Sequence, residues 1–569
     1  MALRKKSEWW KGAVIYEIAP ISFQDTNGDG KGDLRGLESR IDYLTWLGID
    51  AVWLTPFYTS PMLDLGYDIA DYCAVDPIFG SLEDFDRIVE RLHGEDIKVL
   101  IDFVPNHSSD KHPWFAESRS SRTSTKRDWY VWADTSPNGG PPNNWQSRFG
   151  GSAWEWDENT EQYYYHSFLL EQPDLNWRNP QVRSAMADVL RFWMRRGVDG
   201  FRFDASAVLA EDALLRDDPI DPDADESTPP PQRLMRVFSD DRPESQRYIE
   251  ELRHVIDEFE GRMLCGEVQG KTDRIGHFYG SDDRPRMHLP LNFALLDSPW
   301  NALSLQAAID AYLNAIPDEA WPDWVIGGHD KHRVAGKVGQ QQARCLAMLV
   351  LTLKGTSFFF AGDELGTERG IIPRRAVQDP FEKLVPGYDL NRDPERVPMR
   401  WDGSNNGGFT TGEPWLPMGG TSARNVCDMQ KNKRSILHLY RQLILLRKQT
   451  PAFRSGDYAP LRSRNDVLAF ERFTATDKFQ VALNLTHEPR RVDWLEEGTL
   501  VLSTHLDRKD IAVTRSLLLR PDEGVIVKAR PGGLRCIVRI ASRSGQLRSR
   551  AKPEARWNRS KARQLKEDA

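Results

Sequence analysis

Gly200-Phe-Arg-Phe-Asp204 is a short apolar run that ends on a carboxylate. Two other runs end the same way: Met263-Leu-Cys-Gly-Glu267 and Trp324-Val-Ile-Gly-Gly-His-Asp330. The three carboxylates stand 63 residues apart, each after a stretch that reads as a buried strand. Core packing gives no reason for an acid at the tip of a buried strand. Three of them, delivered by three strands, predict a site where a charged intermediate is made and stabilised.

The pattern repeats outward from these runs. Strand-like segments lie at Ala13–Ile18, Ala51–Leu54, Val99–Val104, Gly200–Asp204, Met263–Val268, His288–Phe293, Trp324–Gly327 and Thr356–Ala361. Helical patterns such as Ser81–His93, Gln181–Arg196, Gln246–Phe259 and Gln340–Leu353 alternate with them, and Lys433–Lys448 closes the series. Eight strands alternating with helices predict an α/β fold, a (β/α)8 TIM barrel over residues 1–107 and 177–450. Residues 108–176 are too long for a loop and rich in Trp, Tyr, Ser, Asn and Pro. They are expected to form an inserted subdomain after the third strand, and the acidic, Pro-rich Asp217–Gln232 a surface loop near the cleft mouth. Beyond 450 the period changes to two, at Val467–Phe473, Phe479–Leu485, Gly498–Ser503 and Gly524–Ala529. That predicts a C-terminal all-β sandwich domain over 451–541, followed by a basic, disordered tail over 542–569.

Composition narrows the function classes. With 569 residues and a formal net charge of −8, the body of the protein is a poor nucleic-acid binder. Five scattered cysteines form no CxxC pair, which fits a reduced cytoplasmic compartment and argues against a zinc site. No run reaches the roughly 18 apolar residues of a membrane helix, so no membrane partner is expected. The 19 Trp divide between a large core and loops that can line a cleft.

Four further patterns carry chemistry. In Asp25-Thr-Asn27-Gly-Asp29-Gly-Lys31-Gly-Asp33, oxygen ligands recur at every second position, with glycines between them. Asp25, Asn27, Asp29, the Lys31 carbonyl and Asp33 are expected to hold a structural Ca2+ (or Mg2+). The twelfth position is Gly36, where an EF-hand has Glu, and an Asx-turn loop without metal is the alternative. His107 follows the third strand in Asp102-Phe-Val-Pro-Asn-His107, where a barrel puts its active site, with Asp102 bracing it from behind. Arg202 and Asp204 are two apart on a strand and share a face; a fixed cation there keeps a nucleophile ionised. Glu267, among apolar neighbours, suits an acid of raised pKa and is the better proton donor of the pair.

The order DFVPNH (102–107), QPDLN (172–176), GFRFD (200–204), GEV (266–268) and HD (329–330) resembles the conserved regions of the α-amylase superfamily, glycoside hydrolase family 13. The likeness spans about residues 8–540. QPDLN, the Asp25–Asp33 loop, Gly66-Tyr-Asp-Ile69 and Gln378-Asp-Pro-Phe-Glu-Lys resemble the oligo-1,6-glucosidase and α-glucosidase subgroup. The resemblance implies a retaining mechanism: Asp204 as nucleophile, Glu267 as acid/base, Asp330 holding the distorted ring. It also implies a terminal-glucose subsite of Asp64, Tyr67, His107, Arg202, His329 and Arg396, with Phe168 and Phe149 as aromatic wall. Tyr67 would stack on the sugar, and Asp64 with Arg396 would close the pocket behind it, so that small α-glucosides are cut from the non-reducing end. Gly328 departs from the family's Asn and His332 from its Pro. Ala205, after the nucleophile, goes in this subgroup with α-1,4 bonds. The alternative activity is a glucosyltransferase or isomerase such as a trehalose synthase or a sucrose-converting enzyme. Trehalose synthases tend to carry Glu where Lys331 stands.

Overall fold

The structure, a computed structural model, describes residues 8–268, 274–461, 463–464, 466–514 and 516–530. Parallel strands buried on both faces need near-continuous apolar runs. Eight such runs form one sheet: β1 (Val14–Ile18), β2 (Ala51–Leu54), β3 (Lys98–Phe103), β4 (Gly200–Phe203), β5 (Met263–Glu267), β6 (Leu289–Leu291), β7 (Asp323–Val325) and β8 (Thr356–Phe360). The order is β6-β5-β4-β3-β2-β1-β8-β7, with every neighbouring pair parallel. The sheet curls into a barrel whose seam lies between β6 and β7. There Val325 N–H donates to the Asn292 carbonyl at 3.2 Å, and Asn292 N–H donates to Asp323 Oδ1 at 2.8 Å. All eight predicted strands are barrel strands.

Side chains alternate across each strand, and that parity places the site. Ala13, Ile15, Ala51, Trp53, Leu100, Cys265 and Val325 form one cluster inside the barrel, whereas Val14, Tyr16, Val52, Val99 and Ile101 pack outward with the helices. Two residues further along the inward series come Glu17, Asp102 and Glu267, and on β4 Arg202. The barrel interior therefore turns from apolar to charged at the C-terminal ends of its strands. Trp10 joins the interior cluster from the other end, with its ring edge-on to His288 at 4.5 Å.

The outer helices include α1 (Leu82–Gly94), α2 (Pro180–Arg195), α3 (Pro243–Ile256), α4 (Ala302–Ala315), α5 (Ala343–Thr352) and α6 (Ile436–Gln449). In α1, Ser81 and Asp84 cap one another's backbone N–H groups, and Phe85, Ile88, Val89 and Leu92 form the buried stripe. Between β3 and β4 lies a three-stranded antiparallel sheet, in the order Trp132–Ala133, Gln162–Tyr165, Trp154–Asp157. Asp174 ties it to the barrel by accepting from Asn106 Nδ2 at 2.9 Å and Ser167 Oγ at 2.7 Å.

The C-terminal part is an antiparallel sheet of β9 (Asp457–Pro460), β10 (Val467–Phe473), β11 (Lys478–Asn484), β12 (Gly498–Ser503), β13 (Ile511–Val513) and β14 (Gly524–Ala529). Its order is β9-β10-β11-β14-β12-β13, and the ladder of Arg490–Val492 with Leu517–Leu519 shares its core. The four predicted strands are β10, β11, β12 and β14. The two edge strands were missed because they are short and half exposed. Residues 531–541 of the expected β domain, and the basic tail, lie outside the described residues.

Candidate active site

Arg202 is the hub of the strand tips. It is buried, with Nη1 donating to Asp204 Oδ1 and Nη2 to Glu267 Oε2, both at 2.6 Å. Nη1 is also 3.6 Å from Asp102 Oδ2. β4 pairs with β3 and β5 so that Asp102, Arg202 and Cys265 are in register; Arg202 and Asp204 therefore meet Glu267 without any loop rearrangement. Asp204 Oδ2 has no hydrogen-bond partner among the described residues. Two carboxylates thus share one guanidinium through its two terminal nitrogens.

Burial pushes the Asp204 carboxyl up to about 7; Arg202 opposes the rise, and Glu267 and Asp102 add to it. Burial likewise lifts Asp102 to about 6 against Arg202. Burial is the larger cause of the Asp204 rise, and Asp64 adds to it as a third neighbouring carboxylate. For Asp330 burial also favours the neutral form, yet Lys331, with Arg202 and Arg392 behind it, outweighs it and holds that carboxyl well below the usual range.

Behind these groups runs a chain of hydrogen bonds. Tyr67 OH donates to Asp102 Oδ2 at 2.6 Å and lies 2.9 Å from His329 Nε2. His329 Nδ1 is 2.6 Å from Glu17 Oε1. Trp53 Nε1 donates to Asp102 Oδ1 at 2.8 Å. Glu17 was not singled out from the sequence; its parity on β1 is the signal that points it inward.

A cavity of about 610 Å³ opens over the strand tips. Asp64, Tyr67, His107, Phe168, Arg202 and His329 all line it, as do Asp204, Glu267, Asp330 and Phe149. His107 is buried and held neutral, burial lowering it to about 3; its Nε2 is 3.1 Å from Gln172 Nε2, which also donates to Asp64 Oδ2 at 3.3 Å. Phe168 packs on His107 at 4.9 Å, and Phe149 on Phe381 at 4.2 Å.

One expected residue is displaced. Asp64 does not pair with Arg396: Arg392 Nη2 bonds Asp64 Oδ1 and Asp379 Oδ1, each at 2.8 Å, and Arg392 lines the cavity. Arg396 is absent from the lining and donates from Nε to the His329 carbonyl at 3.0 Å. The two arginines are four residues apart across a short 3-10 turn, Asp393–Glu395, which sends their side chains to different places. The sequence reading named Arg396 alone, and nothing in the run Asn391–Arg396 singles out Arg392.

The mouth is built differently. Lys331 Nζ lies 3.6 Å from Glu267 Oε1 and 4.0 Å from Asp330 Oδ2, above the Phe293 ring at 4.7 Å. His332 is half exposed, with Nδ1 3.2 Å from Glu395 Oε1. Gly328 leaves space: a Cβ there would meet Glu17 Oε2 at 3.4 Å and Asp330 Oδ1 at 3.5 Å. Ala205 is in the left-handed region at φ +50°, a conformation that costs an L-residue about 1–2 kcal/mol.

The Asp25–Asp33 loop has the oxygen donors a hard cation takes, but several are already engaged. Asp25 accepts from the N–H groups of Asn27, Gly28 and Gly30 and from Thr410 Oγ1, and Asp33 from those of Thr26 and Gly36. Among the described residues no group of three or more Asp, Glu, His or Cys side chains is close enough to hold a metal ion.

Comparison with known proteins agrees with the geometry. The model of the alpha amylase catalytic domain matches residues 17–456. A probable alpha-glucosidase of Rhizobium meliloti (strain 1021) is 40% identical over 503 residues, covering 85% of this chain and 91% of that protein. An oligo-1,6-glucosidase of Heyndrickxia coagulans is 36% identical, covering 91% of this chain and 99% of that protein. The crystal structure of the alpha-glucosyl transfer enzyme XgtA superposes with a TM-score of 0.86 at 38% identity, over 93% of this chain and all of that one. A parallel eight-stranded barrel, three carboxylates gathered over its strand tips and these likenesses lead to one conclusion: the chain belongs to the α-amylase family, glycoside hydrolase family 13, and is a glycoside hydrolase.

Proposed function

We propose that this hydrolase is a retaining, exo-acting α-glucosidase that releases glucose from the non-reducing end of short α-1,4-glucosides such as maltose. The observation that carries the reading is the Asp204–Arg202–Glu267 bridge facing a cavity whose far wall is tied off by Asp64 and Arg392. Asp204 attacks the anomeric carbon and forms the glycosyl-enzyme. Glu267 protonates the leaving oxygen and then takes a proton from water or an acceptor sugar. Asp330 bonds the ring hydroxyls as charge develops on the anomeric centre. Tyr67, His107 and His329 bind the glucose, and Phe168 flanks it. The small side chain of Ala205 supports the α-1,4 preference by leaving room for the acceptor sugar.

A second reading, transfer of glucose to an acceptor other than water, is favoured by the likeness to an alpha-glucosyl transfer enzyme. Product analysis on maltose, isomaltose, sucrose and trehalose separates the two. Free glucose, released fastest from maltose, supports the proposal. Faster turnover of isomaltose overturns the linkage, and isomers or longer oligosaccharides as main products overturn hydrolysis. We further propose a structural Ca2+ (or Mg2+) at the Asp25–Asp33 loop, supported by its oxygen donors, and a cytoplasmic location, supported by the unpaired thiols of Cys73, Cys265, Cys345 and Cys427.

A further inference from the structure

Counting protons along the chain behind the cavity gives Glu17 a role. Tyr67 has one hydroxyl proton and two neighbours, Asp102 Oδ2 at 2.6 Å and His329 Nε2 at 2.9 Å. Asp102 already takes the Trp53 N–H and stands 3.6 Å from the Arg202 guanidinium. An ionised Asp102 is acceptor-only, so the Tyr67 proton belongs to it. His329 Nε2 must then carry a hydrogen and donate to the Tyr67 oxygen. Two arrangements remain at Nδ1, 2.6 Å from Glu17 Oε1. Either His329 is a cation facing a Glu17 carboxylate, or a neutral His329 accepts a proton held by Glu17.

The surroundings decide between them. Glu17 is 1% exposed, and its Oε2 has no hydrogen-bond partner among the described residues. A buried carboxylate with one bare oxygen is costly, and a neutral carboxyl much less so. The groups facing it are Asp330 and Asp102, both acidic, with Arg202 and His329, whose backbone N–H donates to Oε1 at 3.2 Å; the Gly328 position, where an amide could have reached Oε2, is empty of side chain. Burial raises the proton affinity of Glu17 and lowers that of His329, which agrees with the same choice.

We infer that Glu17 is a positioning residue: a neutral carboxyl whose Oε1–H donates to His329 Nδ1, so that His329 presents Nε2–H, and Tyr67 O–H in turn is directed at Asp102. One proton on Glu17 thereby orients three hydrogen bonds that end on the Arg202 hub. The part of this that concerns turnover rests on the glucoside-binding reading above; the proton positions do not.

Neutron diffraction from deuterium-exchanged crystals of the full chain tests the positions directly. The expected map has deuterium on Glu17 and on His329 Nε2, with Nδ1 bare. Deuterium on Nδ1 beside a bare Glu17 carboxylate overturns the inference, whatever the enzyme cuts. The kinetic arm uses Glu17→Gln and Glu17→Met with maltose. Gln supplies a neutral donor of the same shape and keeps kcat within about threefold of wild type, while Met costs about 10- to 100-fold, in the range of other positioning groups. If Gln loses as much as Met, Glu17 acts as a carboxylate and the inference fails. Equal, full activity in both variants, with each folding to the wild-type melting temperature, also overturns it.

Discussion

The two ends of the cavity are made by different means. At its floor, charges sit on strand tips or on residues that follow them directly: Asp102, Arg202, Asp204 and Glu267, held by strand register and by the 2.6 Å pairs of Arg202 with Asp204 and Glu267. At its mouth, Lys331, His332 and Ala205 lie on connections, with longer contacts, partial exposure and a strained backbone. A group on a strand end inherits the rigidity of the sheet, whereas a loop group moves with its loop. The difference teaches that the chemistry is set by the barrel, and the choice of bond and acceptor by what is grafted onto it.

The comparison breaks first if the floor is not essential. Asp204→Asn is expected to lower kcat on an aryl α-glucoside by on the order of 10⁴-fold or more, with far-UV circular dichroism unchanged. The same variant should be more stable than wild type at neutral pH. With a folded value of about 7 against about 3.9 unfolded, the stability linked to protonated Asp204 is complete below about pH 4. It is lost as the pH rises through about 7. The melting-temperature advantage of Asp204→Asn should thus be larger at pH 8 than at pH 4; an advantage that shrinks with pH contradicts the burial argument.

Next in size is the far wall. Arg392→Met leaves Asp64 and Asp379 buried without their cation, a loss of about 3–5 kcal/mol, and should raise KM for maltose more than Arg396→Met does. The reverse ranking, measured by steady-state kinetics on folded variants, would return the wall to Arg396. At the mouth smaller effects are expected. Lengthening Ala205 to Val should move the maltose-to-isomaltose ratio of kcat/KM by about 10- to 100-fold, and the left-handed backbone at 205 should make that variant less stable as well. Smallest is the cation: Asp29→Ala should abolish any rise in melting temperature with Ca2+, and a wild-type protein with no such rise removes the metal from the account.

Legibility in the sequence follows the same divide. The barrel was readable because parallel strands are apolar on both faces, and every run that read as a strand became one. The three carboxylates were readable because an acid at the end of such a run has no packing role. Glu17 was hidden because it stands inside a run, Val14-Ile-Tyr-Glu-Ile18, where only the inward parity of β1 marks it. Arg392 was hidden because a 3-10 turn, invisible as a pattern, decides which of two arginines reaches Asp64. The raised proton affinity of Asp204 could not be read at all, since it depends first on how the folded site buries the group and then on the carboxylates gathered beside it.

The central claim is that Asp204 forms the covalent glucosyl-enzyme. Incubation with a fluorinated α-glucosyl fluoride, whose second step is slow, followed by peptide mass spectrometry, measures it directly. The account predicts one glucosyl adduct, on the peptide containing Asp204, with α-glucose as the first product from unmodified substrate. An adduct on Glu267, or β-glucose as first product with no adduct, would contradict it.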